Sequence, residues 1–108
     1  MISFSFKVIW SKQSVGIAVD QEISSLKIQV PLTSYYFWPS FNGWKLLKNR
    51  LELIPWLTQS DQIKILNGYT KIITLWKSNN GDLKNFTSKE LSEIQKNLNF
   101  KLVGLTID

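Results

Sequence analysis

The amino-terminal third alternates. Phe4, Phe6, Val8 and Trp10 are separated by Ser5, Lys7 and Ile9, the period-two pattern of a strand with one buried face. Val15, Ile17 and Val19 repeat the pattern after the short polar residues 11–14, so an antiparallel hairpin is the simplest connection. Leu26, Ile28 and Val30 alternate a third time and stop at Pro31, which has no N–H to give to a ladder and suits an edge or an end. Residues 1–34 therefore read as mainly strand.

The period then changes. Tyr35, Tyr36, Phe37 and Trp38 form an unbroken aromatic block, Pro39 and Ser40 interrupt the chain, and Asn42 is placed to cap a helix that carries Trp44, Leu47 and Leu51 at helical spacing. Pro55 closes that segment. Thr58, with Asp61 three residues on, opens a second helix with two overlapping apolar stripes: Ile63, Leu66 and Ile73, and Ile65, Tyr69, Ile72 and Trp76. So wide an apolar arc predicts burial on more than one side. Asn79, Asn80 and Gly81 supply its stop.

Thr87 and Glu90 have capping-box spacing, and Leu91, Ile94 and Leu98 give a short third helix one apolar face. Val103, Leu105 and Ile107 alternate again, a final strand able to rejoin the sheet. The expectation is one α+β domain over residues 1–108, an amino-terminal antiparallel hairpin or sheet packed against two to three helices. Residues 42–77 form its helical middle, and residues 78–108 a tail with a short helix and strand.

Charge is concentrated in the middle. The chain carries a formal net charge of +5, and residues 31–77 hold six basic residues against Glu52 and Asp61, net +4, while residues 78–108 balance four against four. Lys45, Lys48, Arg50, Lys64, Lys71 and Lys77 lie on the two predicted helices, mostly off the apolar stripes, where cations reach RNA phosphates without reading bases. An ordinary solvated helix face has the same pattern. Tyr35, Tyr36, Trp38 and Phe41 are candidates for stacking on unpaired bases or anchoring a partner, because four consecutive rings cannot all enter one face of this chain's own core. Trp10, Trp44, Trp56 and Trp76 are assigned to the core.

Catalysis has little to work with. There is no Cys and no His, which removes thiolate nucleophiles, imidazole bases and nearly every zinc or haem site. The five isolated glycines match no phosphate loop or dinucleotide fingerprint. Asp20 with Glu22 and Glu90 with Glu93 are carboxylate pairs by spacing only, and Glu90 and Glu93 sit where a helix favours negative charge anyway. Neither an enzyme, a cofactor, a metal nor a small-molecule substrate is expected. No apolar run approaches the roughly 18 residues of a membrane helix, and the first six residues resemble neither a secretion signal nor a transit peptide, so the chain is expected to act where it is made unless it is already processed.

The middle of the chain resembles a known family, the plastid-specific ribosomal protein three of the small subunit, which has cyanobacterial relatives. The resembling residues are Pro31, Leu32, Thr33 and Ser34 with the aromatic block and Pro39, then Gly43 and Trp44, Leu51 and Glu52, Pro55, Trp56, Leu57 and Thr58, and finally Leu66, Asn67, Thr70, Ile73 and Trp76. Trp10 and residues 17–21 are similar to the family's start, and residues 78–108 match weakly. Relatives usually carry an arginine and an acidic residue where this chain has Ser40 and Asn42. The resemblance implies a non-catalytic constituent of the plastid small ribosomal subunit, held against ribosomal RNA and neighbouring ribosomal proteins in the stroma. Ile, Asn and Lys fill 32 of 108 positions, residue types with AT-rich codons, which suits a plastid gene. A protein-binding adaptor using exposed aromatics is the alternative from another class.

Overall fold

β1 (Ile2–Trp10) and β2 (Val15–Ile23) pair antiparallel from Ile2↔Ile23 to Trp10↔Val15, the hairpin that the two alternating runs predict. The structure, a computed structural model, describes residues 2–39, 41–83 and 86–105. Its register brings Phe6, Val8, Trp10, Val15, Ile17 and Val19 to one face, all buried. A slip of one residue would turn one strand's three outward. On the other face Lys7 Nζ lies 3.1 Å from Asp20 Oδ2, and the same slip would strand that buried carboxylate without its cation.

β3 (Ile28–Pro31) and β4 (Tyr36–Trp38) pair antiparallel with one edge of β2, β3 along residues 20–23 and β4 along residues 15–17. β5 (Phe100–Leu105) rejoins the sheet on the far side of β1 and runs parallel to it. The main order is β3-β2-β1-β5, a mixed sheet. Ile107, the last position of the expected strand, lies outside the described residues, as does Ser40. The aromatic block forms a strand because its rings divide between faces. Tyr36 and Trp38 pack against the core, while Phe37 crosses the other face over Gly16, where a Cβ would collide with the ring.

Three helices cover the apolar face: α1 (Gly43–Glu52), α2 (Gln59–Ser78) and α3 (Ser88–Leu98). Their caps are those the sequence predicts. Asn42 accepts from Lys45 N–H, Thr58 from Asp61 N–H, and Thr87 with Glu90 completes a reciprocal capping box, each cap contributing about 1 kcal/mol. Leu47 and Leu51 from α1 and Ile65, Tyr69, Ile72 and Ile73 from α2 join the sheet residues in one core.

Two core expectations are corrected. Ile63 is 52% exposed, because at about 100° per residue it falls half a turn round α2 from buried Ile72. The second helix therefore has one buried side. Trp56 is 50% exposed, since the link between α1 and α2 sends Ile54 and Leu57 inward and turns the indole between them out.

The end of α2 is tied to the hairpin turn. Trp10 Nε1 donates to the Gly81 carbonyl at 3.1 Å, and Trp76 Nε1 donates to the Ser11 carbonyl at 2.7 Å. Gly81 has φ +73°, and a Cβ there would come within 2.7 Å of the Lys12 backbone. Only glycine meets both demands.

Candidate nucleic-acid interface

α1 lies on β4 and α2, and its first turn is fitted there without a side chain. A Cβ on Gly43 would meet the Tyr69 hydroxyl and the Phe37 carbonyl. That hydroxyl donates to the Tyr36 carbonyl at 3.3 Å, joining α2 to β4 beneath the start of α1. Burial pushes the Tyr69 hydroxyl well above its ordinary pKa, so it stays a neutral donor. The outer face of α1 is thus carried on a fixed support.

That face holds cations. At about 100° per residue, Lys45 and Asn49 fall opposite buried Leu47 and Leu51, while Lys48 flanks them on the Trp44 side and Arg50 on the Leu46 side. Lys48 Nζ lies 5.8 Å from the Trp44 ring centroid, a contact contributing about 0.5–1 kcal/mol at an exposed site. On α2, Lys64 and Lys71 share one outward ridge, roughly 10 Å apart along the axis. Lys77 leaves from the opposite flank and lies 5.2 Å over the Trp38 ring. All six side chains are exposed, and among the described residues none lies within ion-pair distance of a carboxylate. They form one outward lysine on α1, Lys45, flanked by Lys48 and Arg50 on its two sides, a ridge on α2, and one outlier, Lys77.

The four aromatic candidates separate by burial. Tyr35, Tyr36 and Trp38 are half-buried, with Tyr36 and Trp38 packed on the core. Phe41 is 68% exposed. Beside it a shallow hollow is lined by Phe41, Asn42, Lys45, Leu46 and Asn49. Leu46, which lines that hollow, Leu53 and Trp56 are further exposed apolar residues, and Leu26, Ile28 and Val30 expose more at the β3 end of the sheet. The sequence reading missed Leu46 and Asn49. Their signal was helical phase: each is three or four residues from Asn42 or Lys45 on a helix whose buried side Leu47 and Leu51 already fixed.

Among the described residues no cluster of acidic side chains could hold a metal ion, and no helix is long and apolar enough to cross a membrane. The exposed cations of α1 and α2 on this packed support are the candidate contacts for a polyanion.

A family model for plastid and cyanobacterial ribosomal proteins (PSRP-3 / Ycf65) matches residues 32–79, the segment that holds all six cations and all four aromatic candidates. Small ribosomal subunit protein cS23 of Gracilaria tenuistipitata var. liui is 36% identical over 100 residues, 93% of this chain and 96% of that one. The chain belongs to that family. Small ribosomal subunit protein cS23y of Arabidopsis thaliana is 40% identical over 77 residues, 71% of this chain but 42% of its own length. A probable small ribosomal subunit protein cS23 of Synechococcus sp. (strain JA-2-3B'a(2-13)) is 38% identical over 78 residues, 72% of this chain and 77% of its own. The family's matched segment is the part of the fold made of β4, α1 and α2.

Proposed function

We propose that the chain is a structural constituent of the small ribosomal subunit of a plastid, bound to ribosomal RNA through the outer faces of α1 and α2. The observation that carries this reading is a relative named as a small ribosomal subunit protein that aligns over nearly the full length of both chains. Its role is to brace RNA and neighbouring proteins, without catalysis. Lys45, Lys48, Arg50, Lys64, Lys71 and Lys77 contact phosphates, which position the protein without reading sequence. Tyr35, Tyr36 and Trp38 hold the strand that supports α1, and Phe41 is the ring that meets a partner. The apolar surface at Leu26, Ile28 and Val30 suits a neighbouring ribosomal protein. A composition rich in residue types with AT-rich codons supports a gene in the plastid itself, and the match to a plastid and cyanobacterial ribosomal family model supports action in the stroma.

Sucrose-gradient sedimentation of a plastid extract tests this. A tagged copy is expected to travel with intact small subunits and to leave them at high salt. A copy that stays in the top fractions while the subunits migrate intact is not a ribosomal constituent. One that remains with a single protein after nuclease treatment is an adaptor instead.

A further inference from the structure

Nothing in the fold requires Phe41 to be in water. Its ring is 68% exposed beside Leu46, itself 45% exposed, although Phe41 just precedes, and Leu46 belongs to, a helix whose opposite side buries Leu47 and Leu51. Phe41, Asn42, Lys45, Leu46 and Asn49 line one hollow whose walls are almost wholly apolar, and three of the five residues carry polar end groups. Asn49 presents an amide with donors and an acceptor; Lys45 presents a cation; Asn42, whose oxygen accepts from Lys45 N–H, keeps its amide nitrogen as a donor.

We propose that this hollow receives one unpaired RNA base, stacked on Phe41 over Leu46, with the Asn49 amide at the base edge and Lys45 on the adjoining phosphate. The proposal rests on the RNA-binding reading and names the part of the RNA that this end of α1 takes. A base has two apolar faces and a rim of donors and acceptors, which matches a ring and a leucine bordered by amides. Charge favours nucleic acid over a protein side chain. The first turn of α1 has no acidic residue, and Lys45, Lys48 and Arg50 precede its one carboxylate, Glu52. A base in an A-form helix is stacked on its neighbours, so the occupant comes from a loop, bulge or strand end.

Small subunits containing the protein, irradiated at 254 nm and digested with nuclease and protease, are expected to yield a nucleotide adduct that peptide fragmentation places on Phe41. Removing one aromatic stack lowers affinity by about 5- to 150-fold. With six phosphate contacts and a salt slope near −4, Phe41→Ala should therefore leave the subunit at a salt concentration about 1.5- to 3-fold lower, while Phe41→Tyr behaves as wild type. RNA adducts confined to other peptides, together with wild-type release of Phe41→Ala, overturn the base site and leave the RNA-binding reading standing. A cross-link from Phe41 to another ribosomal protein overturns it in favour of a protein contact. A protein that forms no RNA adduct anywhere in intact subunits removes both readings.

Discussion

Trp10→Ala is expected to destabilise the protein by about 3–5 kcal/mol, the range for losing a buried Trp or Phe side chain. Trp10 is 1% exposed and packs at the centre of the core. It also donates to the Gly81 carbonyl, so its loss leaves a cavity between sheet and helices and removes one of the two indole hydrogen bonds that tie the end of α2 to the hairpin turn. A domain of this length has about 5–15 kcal/mol in all. The variant should therefore be partly unfolded at 37 °C, with its urea midpoint moved far down at nearly unchanged slope. Trp56→Ala is the control. Half of that indole is already in water, and its loss should cost about 1 kcal/mol or less. Equal midpoints for the two variants would place the core elsewhere.

The second large effect is on salt dependence. Six phosphate contacts to single-stranded RNA give a log–log slope of about −4, at about −0.7 per contact, so affinity falls roughly 300-fold between 50 and 200 mM salt. Replacing Lys45, Lys48, Arg50, Lys64, Lys71 and Lys77 with Gln should flatten that slope nearly to zero. The six are exposed, so the fold should survive, and circular dichroism checks that it does. Filter binding to the small subunit's RNA across a salt series reads the slopes. Single variants should differ. Lys64→Gln and Lys71→Gln each remove about 0.7, whereas Lys77→Gln removes least, because its ammonium already lies over the Trp38 ring. An unchanged slope in the sixfold variant would move the RNA face off α1 and α2.

Much of this fold is legible in local pattern. The hairpin follows from strict alternation in two runs, and all three helix starts follow from Asn42, Thr58 and Thr87, because capping is settled within four residues of chain. Pairing across distance is less legible. That β5 would lie parallel to β1, and that β3 and β4 would share one edge of β2, depends on how the helices return the chain. The aromatic block misleads for a related reason. Four rings in a row resemble a surplus, yet Gly16 opens a place for Phe37 on the second face of the sheet, and that glycine stands twenty-one positions earlier.

The candidate site divides in the same way. Each cation was visible in the sequence as a residue off the apolar stripes, but the grouping into one outward lysine with two flanking cations on α1, a ridge on α2 and the outlying Lys77 requires the helical phase of α1 and α2. Ile63 and Trp56 fail as core residues for that reason too, since hydrophobicity alone does not fix direction. Phe41 stood out as one ring among four. Its partners Leu46 and Asn49 did not, because nothing in their types marks them until α1 is wound and its buried side assigned.

We place the outer faces of α1 and α2 on ribosomal RNA. A cryo-EM map of the intact plastid small subunit tests it most directly. The expected map holds this fold with the ammonium groups of Lys45, Lys64 and Lys71 at salt-bridge distance from phosphate oxygens, about 3–4 Å. A map in which those two helices face solvent or only protein, with RNA against the sheet instead, would contradict it.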